Sequence, residues 1–268
     1  MEENTVDLLR LSWSDHQQNR SISLSAQEVI NRKRYYYKLP DYDAETDSFR
    51  GHLTVNEAVV SRLLDLLGIH HVRYELLNAR IRLNGCERTV PVCRSENFCR
   101  ENEEQICFDT YYNANRLPME TTLDFCRRNG LEDFLCSMLA TDYIIMNRDR
   151  YANNIIILRN KLTGAIRPAP LFDHGISLLY ECWTDEELAA FDVMKDRFSL
   201  NYIGLWFVSR NLKLIPKDRY PDFRVLTDTD RDYLFSGLEP FLTPLHREKI
   251  WEMITKRMTY FRAYPLNS

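Results

Sequence analysis

Asn147-Arg148-Asp149-Arg150-Tyr151-Ala152-Asn153-Asn154, followed after a strand-like run by Leu171-Phe172-Asp173-His174-Gly175, is the stretch that decides how this chain is read. It sets an Asp, an Asn five residues later, and a second Asp two residues before Gly at the end of an apolar run. Phosphoryl transfer asks a protein mainly to position an acceptor hydroxyl and to neutralise charge around the γ-phosphate. Asp149 is the residue type that orients such a hydroxyl and takes its proton, while Asn154 and Asp173 offer the hard oxygen ligands that suit Mg²⁺. The plain alternative, that Asp149 and Asn154 are turn and capping residues, loses weight because Asp173-His174-Gly175 follows them.

The flanking sequence tells how these residues are delivered. Leu131 to Met146 carries apolar Phe134, Leu135, Met138, Leu139, Ile145 and Met146, which predicts a core helix running into the loop. Ile155 to Leu158, the turn Thr163-Gly164, and Ile166 to Phe172 predict a hairpin whose second strand presents Asp173. Leu245 to Tyr264 has the pattern of an amphipathic closing helix.

Upstream, Arg34 to Leu39 predicts a strand that ends at Pro40 and leaves Lys38 near its end, where it could hold the α- and β-phosphates of ATP. Thr54-Val55-Asn56-Glu57 predicts a capping box and a helix onset, with Gly68 as the stop. Glu57 is also the natural partner for Lys38, so two roles compete for one carboxylate. Tyr74 to Leu83 and Glu87 to Cys93 predict a hairpin joined through Asn84-Gly85. Residues 41–51 and 216–222 read as loops.

Composition narrows the class. The 268 residues are 44% hydrophobic and 28% charged, the balance of a globular protein long enough for two lobes around a cleft. The net charge of −4 provides no global attraction to nucleic acid, and Arg32-Lys33-Arg34 is too small a patch to supply one locally, so no direct nucleic-acid binding is expected. No apolar run approaches the ~18 residues of a membrane span, and the acidic start argues against a secretory leader. A cytoplasmic protein without a membrane partner is the expectation. Seven cysteines without a Cys-x-x-Cys pair read as reduced structural thiols.

Five stretches, in order, resemble the HipA-like serine/threonine kinases, the bacterial toxin-kinase group whose fold is related to protein and phosphoinositide kinases. Tyr37-Lys38-Leu39-Pro40 is similar to the family's ATP-binding strand, and Asn56-Glu57 to Gly68 to its Asn-Glu helix. Val92-Cys93-Arg94-Ser95 lies where the hinge to the large lobe would run and contact adenine. Asn147 to Asn154 resembles the Asn-x-Asp-Arg-His-x-x-Asn catalytic loop, and Pro170 to Gly175 the metal-binding segment.

The resemblance implies an α+β, two-lobed protein-kinase-like fold, with a β-rich N-lobe over 1–94 and a mostly helical C-lobe over 95–268. It implies Asp149 as catalytic base, Asn154 and Asp173 as Mg²⁺ ligands, and Lys38 with Glu57 as the nucleotide-phosphate contact. Val92 and Arg94 would border adenine. Tyr151 departs from the family's His. Ser21-Ile22-Ser23-Leu24-Ser25-Ala26-Gln27-Glu28, where the phosphate loop would lie, has no Gly, so Ser23 and Ser25 would have to contact the phosphates through their side chains. The same segment is similar to a Ser-Ile-Ser loop that some members autophosphorylate, here at Ser21 or Ser23.

The expected activity is ATP- and Mg²⁺-dependent phosphorylation of Ser or Thr on a protein substrate, with Trp183 to Trp206 as a wall for the acceptor. A small antitoxin-like partner fits the resemblance. The alternatives are a pseudokinase or nucleotide-dependent binding module, and a kinase for a small-molecule or lipid hydroxyl.

Overall fold

The computed structural model describes residues 5–14 and 23–267. Its strands are β1 (Thr5–Asp7), β2 (Ser23–Ile30), β3 (Lys33–Asp43), β4 (Ser48–Arg50), β5 (Tyr74–Leu83), β6 (Cys86–Glu96), β7 (Glu103–Cys107), β8 (Asp149–Arg150), β9 (Ile156–Asn160), β10 (Ile166–Pro168) and β11 (Leu200–Asn201). Its α-helices are α1 (Leu53–Leu66), α2 (Phe108–Asn115), α3 (Thr122–Arg128), α4 (Glu132–Ile144), α5 (Asp185–Ala190), α6 (Val208–Asn211), α7 (Asp228–Phe235) and α8 (Pro244–Asn267).

The first six strands form one sheet in the order β1-β5-β6-β3-β2, with β4 folded back on the end of β3. The region after β6 is mostly helical and carries a three-stranded sheet, β10-β9-β7, and the short pair β11-β8. The α+β architecture with its β-rich N-terminal region is the one expected.

Asn84 and Gly85 take φ of 52° and 80°, so both central residues of the β5–β6 turn are left-handed, as a tight hairpin matching strand twist requires. Gly68, at φ +69°, closes α1. Alternation along β3 buries Tyr37 and Leu39 in the cluster beneath the sheet with Ile81 and Val92, which turns Lys38 to the opposite face. Helix α1 is buried on nearly every side, from Leu53 through Leu64, because it lies between the sheet and the helical region. The larger core joins Val59 and Leu63 of α1 to Met138 and Leu139 of α4 and Ile254 and Phe261 of α8.

Several local expectations are corrected. β3 does not stop at Pro40 but runs to Asp43; the register slip between Ser23 and Ser25 lies opposite this point, where a residue without an N–H is tolerated. Residues 41–51 are accordingly a β3–β4 hairpin rather than a free loop. The second strand of the hairpin before Asp173 is only Ile166–Pro168, and Leu171 instead bridges His71. Helix α1 begins at Leu53 with no side-chain cap, so the capping box is absent: the Thr54 hydroxyl donates to the Pro91 carbonyl, 3.2 Å away. Among the described residues no helix is long and apolar enough to cross a membrane.

Candidate active site

Four elements meet around Lys38. Its Nζ lies 3.2 Å from Glu57 Oε1 of α1 and 2.5 Å from Asp173 Oδ1. Glu57 is fully buried, and its second oxygen accepts from the His174 backbone N–H at 2.8 Å. The carboxylate freed from capping thus ties sheet, helix and Asp173 segment together. Asn56 adds to the tie, its Nδ2 donating at 3.0 Å to the carbonyls of both Gly175 and Ser177. Gly175 is required by close approach, since a Cβ there would stand 2.6 Å from Leu53 Cγ. Asp173 takes φ +57°, a left-handed backbone that Asp tolerates better than most residues and that is typical of functional positions.

The loop bearing Asp149 is held to the same segment by Arg150, which is 0% exposed. Its Nε and Nη2 donate to the two oxygens of buried Asp142 on α4, at 3.1 and 2.8 Å. Its Nη1 donates to the carbonyls of Asn154 and Phe172, at 3.2 and 2.8 Å, one residue before Asp173. Asn154 Nδ2 donates to the Asp149 carbonyl at 2.9 Å, which leaves its amide oxygen as the free hard donor. Strand β11 runs parallel beside β8, pairing Leu200 with Asp149, and Ser199 Oγ donates to the Asn147 carbonyl at 2.9 Å. Part of the expected acceptor wall therefore lies along the loop.

Charge is out of balance here. Lys38 faces two carboxylates, with Asp149 a third in its field. Burial, opposed by Lys38 and reinforced by Asp173, pushes Glu57 up to about 7. Burial and the Asp173 charge push Asp149 up to about 6, and its carboxylate has no hydrogen bond among the described residues. Despite burial, Lys38 holds Asp173 below the usual carboxylate range. Burial, with Arg150 nearby, keeps His174 neutral. Crowded carboxylates that resist ionising are what a divalent cation relieves, and the oxygens of Asp173 and Asn154 fit Mg²⁺ in kind. No group of three or more His, Cys, Asp or Glu side chains able to hold a metal occurs among the described residues, so Mg²⁺ here would complete its shell with phosphates and water.

Other predicted contacts fall elsewhere. Between Cys93 and Ser95 the β6 backbone is paired with β3 on one edge and β5 on the other, so its groups there are taken up by the sheet. Val92 packs in the core beneath the sheet, and Arg94 pairs with Glu75 and lies over the Tyr35 ring at 5.3 Å. The segment 97–102, whose Phe98 ring lies 5.7 Å from that of Phe172, is the first stretch outside a strand after the sheet, tied at its ends by the Asn97 N–H donating to the Arg34 carbonyl and the Asn102 carbonyl accepting from the Lys161 N–H, both at 2.8 Å. The presumed phosphate loop is strand β2 from Ser23 on, and the Ser25 N–H is taken by the Ser14 carbonyl at 2.9 Å. Ser21 and Ile22 lie outside the described residues.

The sequence reading missed Asp142. A lone carboxylate inside Leu139-Ala140-Thr141-Asp142-Tyr143-Ile144 was the available signal that a buried cation must meet it.

The crystal structure of the Helicobacter pylori proinflammatory kinase CtkA superposes on 98% of this chain and 98% of its own, with TM-score 0.64 and 14% identity. This chain has a kinase fold. The resemblance to HipA-like kinases read from the motifs therefore holds at the level of fold. The Golgi casein kinase matches 99% of this chain and 73% of its own at TM-score 0.47 and 13% identity. HipA of Shewanella oneidensis, solved with HipB and operator DNA, matches 95% of this chain and 59% of its own at TM-score 0.42 and 12% identity. No family model and no curated protein sequence matches the chain.

Proposed function

We propose that this kinase-fold chain transfers the γ-phosphoryl group of ATP to a Ser or Thr hydroxyl of a protein. The observation that carries the reading is the convergence of Lys38, Glu57 and Asp173, with the Asp149–Asn154 loop braced to the Asp173 segment through Arg150.

In this reading Lys38, fixed by Glu57, contacts the nucleotide phosphates. Asp173 and Asn154 hold Mg²⁺, which when bound supplies charge neutralisation at the phosphates. Asp149 orients the acceptor hydroxyl and takes its proton, a task suited to a carboxylate whose pKa is raised toward neutrality. The residues at 97–102, rather than Val92 or Arg94, border adenine and join two lobes, since β6 runs on through Glu96. Ser23 and Ser25 contact phosphate through their hydroxyls, and Ser21 or Ser23 is the autophosphorylation candidate. A cytoplasmic toxin restrained by a small antitoxin-like protein is the biological setting the motifs favour.

One observation favours a second reading. The direct Lys38–Asp173 ion pair satisfies the metal ligand internally, as a nucleotide-dependent binding module without transfer would require. Incubation with γ-labelled ATP and Mg²⁺, alone and with cell lysate, decides between them. Label on the chain or on a lysate protein, lost in Asp149→Asn, is the expected result. Nucleotide binding without transfer in the wild type would establish the binding module instead.

A further inference from the structure

Helix α1, which brings Glu57 to Lys38, runs against α7, and each helix supplies a contact to the other's end. Arg62 Nη1 donates to the carbonyls of Leu234 and Ser236 at 3.0 and 2.8 Å, with that of Tyr233 at 3.5 Å. The last carbonyls of a helix lack intrahelical partners and carry its partial negative charge, so a guanidinium is suited to the end of α7. Arg62 has no ion-pair partner among the described residues, and these carbonyls are what hold it. In the other direction, the carbonyl of Leu66, the last residue of α1, lies 3.3 Å from Arg224 Nε. The Nη1 and Nη2 of Arg224 fork Asp230 of α7 at 2.7 Å each, and Asp230 closes the capping box that starts α7 with Thr227.

The rest of α1 is tied as well, and to both layers. Toward the sheet, the Thr54 hydroxyl reaches the Pro91 carbonyl and Ser61 Oγ accepts from the Tyr74 N–H at 3.1 Å. Toward the helical region, Asn56 holds the Gly175 and Ser177 carbonyls. With Arg62 and Leu66 the ties are divided between two layers, so a shift of α1 in either direction pulls polar groups off their partners, which is costly where they are buried. Burial of nearly every position from Leu53 to Leu64 leaves the helix little open space to move into. We infer that α1 is a fixed strut and that Arg62 is a positioning residue: acting through α7, it sets Glu57 against Lys38 and the His174 N–H before any ligand enters the cleft. Five residues of one helix separate Arg62 from Glu57, so the placement of one fixes that of the other. That Lys38 then meets nucleotide phosphates rests on the kinase reading; the fixity of Glu57 does not.

The test is amide hydrogen exchange of the full chain without nucleotide, read by NMR at His174, whose N–H is held by Glu57 Oε2 at 2.8 Å. The wild type should already protect this amide in the absence of ligand. Arg62→Gln should speed its exchange by about tenfold or more. Arg73→Gln, which removes an exposed ion pair to Asp65 on the same helix without touching α7, should leave it within about twofold. Arg62→Lys, which keeps a cation at the end of α7, should recover most of the protection. Calorimetric binding of ADP with Mg²⁺ should weaken by about fivefold in Arg62→Gln and return in Arg62→Lys. Should Arg62→Gln fail to fold, Arg224→Gln, which frees the Leu66 carbonyl, should give the same selective loss at His174. Protection that arises only when ADP is added, or that Arg62→Gln leaves unchanged, overturns the proposal. Faster exchange spread evenly over the core also overturns it, since Arg62 would then be a stabilising residue only, as does ADP binding unchanged once His174 protection is lost. A chain with Arg62-dependent protection that neither binds ADP nor transfers label would sink the kinase reading and leave the strut standing.

Discussion

Two buried charge clusters lie on either side of Asp173, and they differ in how completely they are satisfied. Around Arg150, one cation meets one carboxylate in a fork, and its Nη1 donates to the carbonyls of Asn154 and Phe172. Around Lys38, one cation faces Glu57 and Asp173, and acid is in excess. The first cluster is closed and holds backbone in place. The second is open to one-fifth exposure at Lys38, electrically incomplete, and suited to receive a cation and phosphates. A saturated ion pair serves as scaffold, whereas an unsaturated one beside it marks where ligand charge belongs.

The contrast can be tested by substitutions on each side. Asp149→Asn should lower transfer by on the order of 10³-fold or more, while calorimetric nucleotide binding stays near wild type. Equal loss of binding would mean that Asp149 belongs to the phosphate-holding cluster. Arg150→Met should cost about 3–5 kcal/mol of folding stability, because it strands Asp142 as an unpaired buried charge. Urea unfolding measures this, and a loss as small as that of Lys38→Met would erase the distinction between the clusters.

Lys38→Met should cost less than Arg150→Met, since Glu57, already raised to about 7, takes up a proton once its partner is gone, and the partly exposed Asp173 keeps contact with water. Its larger effect should be on nucleotide binding.

The smallest effect is on pH dependence. Asp149 must be ionised to act as base, and burial raises its pKa to about 6, so kcat/KM should fall as pH drops through about 6. For stability the sign is opposite: a carboxyl whose folded pKa is raised favours the folded state below its unfolded pKa, and that contribution is lost as pH rises toward 6. An acid limb near 4 instead would place Asp149 in a solvated setting.

Much of this site was legible in local sequence. Asp149, Asn154 and Asp173 could be picked out because they sit in one loop and just after one apolar run, at short spacing. Lys38 was legible through the alternation of β3. Harder was Glu57, where Thr54-x-x-Glu57 satisfies the local pattern of a capping box, yet Thr54 turns to Pro91 and Glu57 to Lys38 and His174. Burial between two layers reassigned both side chains. What surrounds Val92 and Arg94 was hidden for a related reason: whether a strand's edges are free depends on its neighbours, and β6 has one on each side.

By itself the sequence determined the order of elements, the left-handed Asn84-Gly85 turn, the helix that ends at the Asp149 loop, and the residue types available for chemistry. These follow from short-range periodicity and backbone preference. The tertiary structure alone decided which carboxylate meets which cation: Asp142 with Arg150, Glu57 and Asp173 with Lys38, and Glu181 between Arg148 and Arg197. Such pairings join residues up to 135 positions apart and are favoured by desolvation, which penalises a buried charge without a partner and has no trace in local sequence.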